Sequence, residues 1–224
     1  MPGPGEVHVR LDACAICHSD ITYMDGDWGG ELPAVYGHEA AGIVQGIGED
    51  VKGLRCGVPV VVTLLRSCGD CFFCRQRQES LCETRFPLDE SSPITDQQGI
   101  PIGHGLRTGA FADEVVVHAT QVVEIPPDLP MDSAALLSCG VITGVGAVKN
   151  VAAVPAGASV VTIGMGGVGV NCVQGAALSN AKLNIALDLS SDKLKAMSCF
   201  GATHVINPMA EDAPAIVRRL TGGR

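Results

Sequence analysis

The first 127 residues contain short segments in which apolar and polar positions alternate, a pattern typical of half-buried β-strands. Val7 and Val9 alternate with polar neighbours and predict a strand from Glu6 to Leu11. Four more segments predict strands: Ala40 to Ile47, Val58 to Leu65, Phe111 to His118 and Gln121 to Ile125. Residues 84–110 are rich in Pro, Gly, Ser and Asp and predict a surface loop. We therefore expect a mostly antiparallel β domain over residues 1–127.

The periodicity changes after the connector Pro126-Pro127-Asp128-Leu129-Pro130, which is stiff because of its prolines. Helical apolar spacing follows at Met131 to Leu137 and Gly144 to Ala153. Strands and helices then alternate: strand Ala158 to Ile163, a helix to about Ser179, strand Leu183 to Leu187, helix Asp192 to Phe200, strand His204 to Ile206 and helix Glu211 to Leu220. This order predicts a parallel sheet with covering helices in a second domain, residues 128–224.

Composition narrows the classes of function. A chain of 224 residues with 46% hydrophobic residues can bury a sizeable core. The net charge of -9 argues against a nucleic-acid partner and against binding to an anionic membrane. The chain has no run of 18 apolar residues and no charged-then-apolar leader at its start, so we expect a cytoplasmic protein. Ten cysteines in such a protein indicate metal or redox chemistry rather than disulfides.

Four of those cysteines form a tight cluster with the spacing C-x2-C-x2-C-x7-C: Cys68, Cys71, Cys74 and Cys82. Four thiolates at such spacing can close a tetrahedral zinc site within one small lobe, about residues 66–84. An iron-sulfur cluster is the main rival, but the ferredoxin pattern has its fourth Cys after three residues and before a Pro. The third possibility is that the lobe holds no metal.

A second group is dispersed along the chain: Cys17 in Cys17-His18-Ser19-Asp20, His38 in Gly37-His38-Glu39, and Cys139 in Ser138-Cys139-Gly140. Taken singly, each has an ordinary structural explanation, since free Cys is often simply buried. Together, two Cys and one His offer a zinc ion three ligands and leave a fourth position open, as a catalytic zinc requires.

The stretch Gly164-Met165-Gly166-Gly167-Val168-Gly169 matches G-x-G-x-x-G, which is weak evidence alone because Gly-rich turns are common. Here it follows a predicted strand and opens a predicted helix, and Asp188 ends the next strand 24 positions after Gly164. That context is typical of a dinucleotide site, with the pyrophosphate at the helix N-terminus and the carboxylate on the ribose hydroxyls. Leu189-Ser190-Ser191 brings no Arg beside Asp188, so NAD is favoured over NADP.

Taken in order over nearly all 224 residues, these motifs resemble a zinc-dependent alcohol dehydrogenase of the medium-chain dehydrogenase/reductase superfamily. The resemblance implies a GroES-like antiparallel β catalytic domain followed by the first half of a Rossmann parallel sheet. It implies hydride transfer between NAD and a small-molecule alcohol or aldehyde, two zinc ions per chain, and a homo-oligomer for the full-length protein.

The resemblance also implies residue roles. Cys17, His38 and Cys139 would hold the catalytic zinc, and Cys68, Cys71, Cys74 and Cys82 the structural zinc. Ser19 resembles the hydroxyl that receives the alcohol proton, Asp20 the carboxylate that orients the histidine ligand, and Glu39 the acid beside the metal ligands. The cofactor-binding residues implied are His18 near the pyrophosphate, Thr143 near the nicotinamide, Gly164, Gly166, Gly167, Val168 and Gly169 in the turn, and Asp188 and Lys193 at the ribose.

The chain departs from the family pattern in three respects. Thr22 stands where many members have a relay histidine, so the proton relay is expected to be shorter or to use water. Cys56-Gly57-Val58 replaces a Pro-Gly-Asp type turn. Relatives extend further at both ends, with an N-terminal hairpin, the second half of the dinucleotide fold and a return segment. We therefore expect the 224-residue chain to bind zinc but to turn over little alcohol by itself.

Three alternatives stay open at this point. A thiol-adduct formaldehyde dehydrogenase of the same family would need a basic residue for its charged substrate, and Arg107 is the candidate. His104 and Arg107 both lie in the predicted loop, where a solvated position is expected over a pocket-lining one. A truncated zinc- and nucleotide-binding module without turnover is the second alternative. The third, a zinc-ribbon nucleic-acid binder, is disfavoured by the negative charge.

Overall fold

Seven strands lie in the first part of the chain: β1 (Glu6–Ala15), β2 (Ala34–Val35), β3 (Glu39–Ile47), β4 (Pro59–Val62), β5 (Gly103–His104), β6 (Glu114–His118) and β7 (Val122–Glu124). In this computed structural model, which describes residues 2–30 and 32–223, five of them form an antiparallel sheet in the order β6-β1-β3-β4-β7. The short strands β2 and β5 pair in parallel with each other.

One face of this sheet carries the core of the first unit. Val7 and Val9 of β1 are fully buried, and the intervening His8 points to the other face, as alternation predicts. The buried cluster is entirely made of small and β-branched residues: Val7, Val9, Ala40, Val44, Val58, Val60, Val62, Ala110, Val115, Val117 and Val122. β1 runs to Ala15, beyond the predicted end at Leu11, because Cys14 and its neighbours continue to pair with β3 after a shift of register.

Eight α-helical segments lie in the described chain: α1 (His18–Met24), α2 (Phe72–Arg75), α3 (Pro87–Glu90), α4 (Met131–Leu136), α5 (Ile142–Gly146), α6 (Gly167–Leu178), α7 (Ser191–Ala196) and α8 (Ala213–Thr221). Two π-helical turns, Leu137–Val141 and Ala147–Val151, follow α4 and α5. Single 3₁₀ turns occur at Glu79–Leu81, Gly105–Arg107, Ala119–Gln121 and Met197–Phe200.

Residues 84–110 correct the prediction of a plain surface loop. They contain α3 and β5, and Thr108, Gly109 and Ala110 are buried. Asp89 of α3 pairs with the buried Arg66, whose guanidinium also lies 4.6 Å from the centroid of the Phe86 ring. Such tertiary contacts give the segment a fixed course that a Pro- and Gly-rich composition does not reveal.

The first compact unit is Met1–Cys139 and the second is Gly140–Arg224. The predicted boundary after residue 127 lies earlier, because α4 packs on the first sheet through Ala134 and Ala135, against Ala41 and Val61. By length and composition alone, the helical stretch Met131–Val151 would also suffice to cross a membrane. The packing of its first turns on a sheet is what a core helix of a globular domain shows.

The second unit has three parallel strands, β8 (Ser159–Ile163), β9 (Leu183–Leu187) and β10 (His204–Ile206), in the order β10-β9-β8. α6 connects β8 to β9, and α7 connects β9 to β10. Val173 of α6 and Ala186 of β9 are fully buried in its core. The predicted architecture is confirmed: an antiparallel β domain is followed by three parallel strands with connecting helices.

Candidate functional site

Four side chains that could hold a metal ion meet in the first unit: Cys17, His38, Glu39 and Cys139, with one potential ligand atom of each lying within 4.8 Å of the others. Cys17 is the N-cap of α1, and Glu39 opens β3 directly after His38. Cys139 lies in the π-helical turn after α4. Two sulfurs, one imidazole nitrogen and one carboxylate oxygen are a donor set suited to zinc.

Asp20 organises the Cys17–His38 half of this site. The carboxylate is fully buried, and one of its oxygens lies 3.1 Å from His38 Nδ1 and accepts a hydrogen bond from the Gly37 amide at 3.0 Å. The other oxygen accepts a 2.9 Å hydrogen bond from the Cys17 amide. Because Nδ1 is held by Asp20, His38 has Nε2 left as its metal-binding atom. Burial raises the pKa of Asp20, but the hydrogen bonds from His38, Cys17 and Gly37 outweigh burial and lower it.

Gly37 is required by the same turn. Its φ is +92°, and a Cβ at this position would lie 2.6 Å from the Phe111 amide nitrogen. Only glycine therefore brings the backbone into the position where its amide reaches Asp20 and its successor His38 enters the site.

The first turn of α1 carries the other residues predicted for the chemistry. Ser19 is half-buried and His18 is exposed. Thr22, on the same helix, donates its hydroxyl proton to the His18 carbonyl at 2.9 Å. The Thr22 hydroxyl is thus engaged with its own helix.

The four clustered cysteines also converge. Their sulfur atoms lie within 4.8 Å of one another, with 4.0 Å between Cys68 and Cys74 and 3.9 Å between Cys71 and Cys82. A tetrahedral zinc with Zn–S bonds of about 2.3 Å needs sulfur separations of about 3.8 Å. The lobe therefore has the dimensions of a four-thiolate zinc site.

The environment of Cys68 favours its thiolate. The Thr84 hydroxyl and the amides of Asp70 and Cys71 donate to its sulfur and lower the pKa of Cys68 to about 6. Burial raises the pKa of Cys74 to about 12. A cation at the centre of the four sulfurs is what would keep all of them ionised.

In the second unit the Gly-rich turn joins β8 to α6. Gly169 packs against the backbone of Gly164, and a Cβ at position 169 would lie 1.8 Å from the Gly164 carbonyl oxygen. Added Cβ atoms at Gly166 and Gly167 would meet no described atom within 4 Å, so their faces are open to a ligand. Val168 is exposed beside them. This distribution of crowded and open glycines is the one that a pyrophosphate-binding turn needs.

Asp188 directly follows β9 and binds the backbone of the Gly-rich turn. Its carboxylate accepts hydrogen bonds from the Met165 amide at 2.6 Å and from the Ser190 amide at 2.7 Å. The amides of Ser190 and Met165 lower the pKa of Asp188, and the nearby charge of Lys193 adds to this effect. A cavity of about 410 Å³ opens here, lined by Ile163, Gly164, Leu187, Asp188, Leu189 and Pro208. Thr143 is exposed on α5 of the same unit.

His104 and Arg107, the two candidate pocket residues of the 84–110 segment, differ in exposure. Arg107 is exposed, but its charge helps to lower the pKa of Asp89. His104 corrects the expectation of a solvated residue: it is mostly buried and lines a cavity of about 200 Å³ with His8 and Glu114. The sequence carries no signal for this cavity, because strand and loop residues far apart in the chain form it.

Known proteins resemble this chain both in its first domain and over nearly its whole length. A sequence model described as "Alcohol dehydrogenase GroES-like domain" matches residues 3–127. An alcohol dehydrogenase of Malus domestica is 35% identical over 98% of this chain and 60% of its own length. The crystal structure of an alcohol dehydrogenase zinc-binding domain protein from Burkholderia ambifaria superposes with a TM-score of 0.93 at 34% identity, covering 99% of this chain and 62% of that one.

Benzyl alcohol dehydrogenase from Acinetobacter calcoaceticus superposes with a TM-score of 0.88 at 31% identity, over 99% of this chain and 62% of its own. The chain spans about 60% of the length of the curated relatives that it matches.

Proposed function

The chain belongs to the zinc-type alcohol dehydrogenase family of the medium-chain dehydrogenase/reductase superfamily, and we propose that it serves NAD-dependent hydride transfer between an alcohol and its aldehyde. The observation that carries the proposal is the convergence of Cys17, His38, Glu39 and Cys139 within 4.8 Å. A zinc ion there would supply Lewis acidity that lowers the pKa of an alcohol oxygen, and NAD would accept the hydride.

The chain's own residues hold and orient the reacting groups. Cys17, His38 and Cys139 are the proposed ligands, and Asp20 fixes the imidazole of His38 so that Nε2 faces the metal. Glu39 contributes a carboxylate beside the ligands. Ser19 accepts the alcohol proton and passes it to water, because the Thr22 hydroxyl is engaged with the His18 carbonyl.

The proposed cofactor site lies in the second unit. The turn Gly164 to Gly169 takes the pyrophosphate at the N-terminus of α6, with Val168 beside it. Asp188 and Lys193 hold the ribose, and His18 and Thr143 are assigned to the cofactor by the family resemblance. The four cysteines Cys68, Cys71, Cys74 and Cys82 hold the second, structural zinc.

NAD should bind more tightly than NADP, because the Asp188 carboxylate accepts hydrogen bonds from ribose hydroxyls and repels a 2′-phosphate. Fluorescence titration of the chain with NADH and NADPH measures the difference. Asp188→Asn should reduce it, since the amide no longer repels the phosphate. Equal affinities in the unsubstituted chain would remove the role proposed for Asp188.

The metal centre is tested without relying on turnover. Cobalt(II) exchanged into the Cys17–His38–Cys139 site should change its d–d absorption when a primary alcohol enters the coordination sphere. Cys17→Ser should abolish this change, whereas Cys56→Ser, at an exposed cysteine outside both clusters, should retain it. An unsubstituted chain that binds cobalt with no response to alcohols would support a zinc- and nucleotide-binding module without turnover.

The formaldehyde alternative requires a basic residue for a charged thiol adduct. Arg107, its candidate, is exposed in the 84–110 segment, so the alcohol is the substrate that we propose. A cytoplasmic location, which the composition and charge pattern predict, and a homo-oligomer of the full-length protein, which the family resemblance implies, are part of the proposal.

A further inference from the structure

Cys139 has a position different from that of the other two proposed ligands. Cys17 and His38 are both fixed by Asp20, which is bonded to the backbone of one and to the ring of the other. Cys139 comes from the helical segment far along the chain, and its turn Leu137–Val141 is π-helical. A π-turn displaces backbone carbonyls from their usual α-helical partners, so its geometry needs support from outside the helix.

Thr63 supplies such support. This residue follows β4, and its hydroxyl donates a 2.9 Å hydrogen bond to the carbonyl oxygen of Ser138. That carbonyl belongs to the peptide group whose nitrogen is the amide of Cys139. Fixing the plane of this peptide fixes the N and Cα atoms of Cys139, from which its side chain extends toward the site. Ser138 itself is buried, and its own hydroxyl donates to the Ala135 carbonyl at 2.6 Å.

Thr63 is in turn rigidly held. Its amide donates to the Gln121 carbonyl at 2.9 Å, and its own carbonyl accepts from the Gln121 side-chain amide at 2.8 Å. Gln121 is fully buried and also donates to the Arg107 carbonyl at 3.0 Å. The hydroxyl of Thr63 is thus presented to Ser138 from a fixed backbone, at the end of a sheet strand.

We propose that Thr63 is a positioning residue for the candidate catalytic metal centre, acting on Cys139 through the Ser138 carbonyl as Asp20 acts on Cys17 and His38. This inference rests on the proposed function, since it assumes that Cys139 is a metal ligand. Loss of a residue that orients a metal ligand typically weakens metal binding 10- to 100-fold, and we expect about tenfold for Thr63 because it acts one peptide away.

The test is the transfer of zinc from the full chain to a chromogenic chelator. The unsubstituted chain should release zinc in two phases, and the phase that is missing from Cys17→Ser is assigned to the catalytic site. Thr63→Val, which keeps the shape but removes the hydroxyl, should weaken zinc binding in that phase about tenfold and leave the four-cysteine phase unchanged. Thr63→Ala should show the same selective loss, which covers the case in which the valine variant folds poorly.

Two controls separate positioning from general stability. Thr63→Ser restores the hydroxyl and should bind zinc within about twofold of the unsubstituted chain. Thr162→Val removes a buried threonine hydroxyl from β8 in the second unit and should change neither phase. Equal weakening of both phases by Thr63→Val, or failure of Ser to rescue, would reduce Thr63 to a structural residue.

The outcomes distinguish this inference from the proposed function. If the unsubstituted chain lacks the zinc phase that depends on Cys17, the proposed metal centre is wrong. If that phase is present and Thr63→Val and Thr63→Ala release zinc as the unsubstituted chain does, only the role of Thr63 is overturned.

Discussion

Asp20 shows how much of the site depends on one buried carboxylate. It binds the Cys17 amide, the Gly37 amide and the His38 ring, so three backbone or side-chain positions are set by two oxygen atoms. A buried hydrogen bond to a charged acceptor contributes more to stability than one to a neutral acceptor, and removing the acceptor leaves its donors unpaired.

Asp20→Asn should therefore weaken zinc binding at the Cys17–His38–Cys139 site by 10- to 100-fold, because the amide group of Asn cannot accept from all three donors. The four-cysteine site should be unaffected. Zinc content after dialysis against a weak chelator measures the difference. Asp25→Asn, at an exposed carboxylate that ends α1, is the matched control. Retention of both zinc ions by Asp20→Asn would show that Asp20 is dispensable.

His104 makes the first unit sensitive to acid. Its Nε2 pairs with the Thr108 carbonyl at 2.9 Å, whereas its buried Nδ1 has no hydrogen-bond partner among the described residues. Burial lowers the pKa of His104, and the positive charge of Arg66 lowers it as well. The hydrogen bond to the Thr108 carbonyl and the negative charges of Asp89 and Glu6 raise it, but burial has the largest effect. The folded chain therefore takes up this proton less readily than the unfolded chain, whose histidine has a pKa of about 6.5.

The contribution of neutral His104 is complete above about pH 6.5 and is lost as the pH falls below that value. The free energy of unfolding should accordingly decrease between pH 7.5 and pH 5.5. His104→Gln, whose side-chain amide can still donate to Thr108, should make this decrease smaller. Denaturant titrations at the two pH values measure it, and an unchanged pH dependence in the variant would contradict the assignment.

Functional side chains are predictable from the sequence when they lie close together along the chain. The four cysteines from Cys68 to Cys82 fall into this class. Thr63 does not, because its partner Ser138 lies 75 residues away and no spacing rule joins them. The burial of His104 is also absent from the sequence pattern, since it depends on a segment packing over distant strands.

The Gly-rich turn of the second unit contains glycines of two kinds. Gly169 is needed for packing, because a Cβ there would lie 1.8 Å from the Gly164 carbonyl oxygen. Gly166 has open space where its side chain would be. The two positions should respond differently to the same substitution.

Gly169→Ala should destabilise the second unit by about 1–3 kcal/mol, as overpacking typically does. Gly166→Ala should leave thermal stability within about 0.5 kcal/mol and still weaken NAD binding, since the methyl group occupies the space left for the pyrophosphate. Calorimetric unfolding together with NADH titration separates the two. Tight NADH binding by Gly166→Ala would argue against a pyrophosphate at this turn.

We expect the cysteine lobe to depend on a bound metal for its folding. α2 is one turn long, and the four sulfurs are the groups that draw the lobe together. Structural zinc sites in small peptides contribute on the order of 10 kcal/mol to folding.

Cys71→Ser should therefore unfold the lobe and expose Arg75 and Arg77 to trypsin, at zinc concentrations that protect the unsubstituted chain. Cys56→Ser, at an exposed cysteine, should stay resistant. Mass spectrometry of the fragments locates the cleavage. Equal resistance of Cys71→Ser and the unsubstituted chain would mean that the lobe folds without a metal.

Elements with a strong local pattern were predictable to the residue. β9 (Leu183–Leu187) is a short segment of mostly apolar residues, and both its ends agree with the prediction. The extension of β1 to Ala15 was not predictable, because pairing with β3 rather than alternation sustains it. The π-turn at Leu137–Val141 has no sequence signature and emerges only in the packed helix.

Both candidate metal sites lie in the first unit, and the proposed nucleotide turn lies in the second. The two kinds of site offer different chemistry: thiolates and imidazole in the candidate metal sites, backbone amides and a carboxylate at the turn. The sequence predicted both units because each carries its own motif.

We expect one chain to hold two zinc ions in separate sites, one at Cys17, His38 and Cys139 and one in the four-cysteine lobe. Elemental analysis of the purified chain, of Cys17→Ser and of Cys71→Ser tests it most directly. We expect two zinc ions in the unsubstituted chain and one in each variant, with the zinc retained by Cys71→Ser lost when Cys17→Ser is added. Iron in place of zinc, or loss of the same zinc in both variants, would contradict the account.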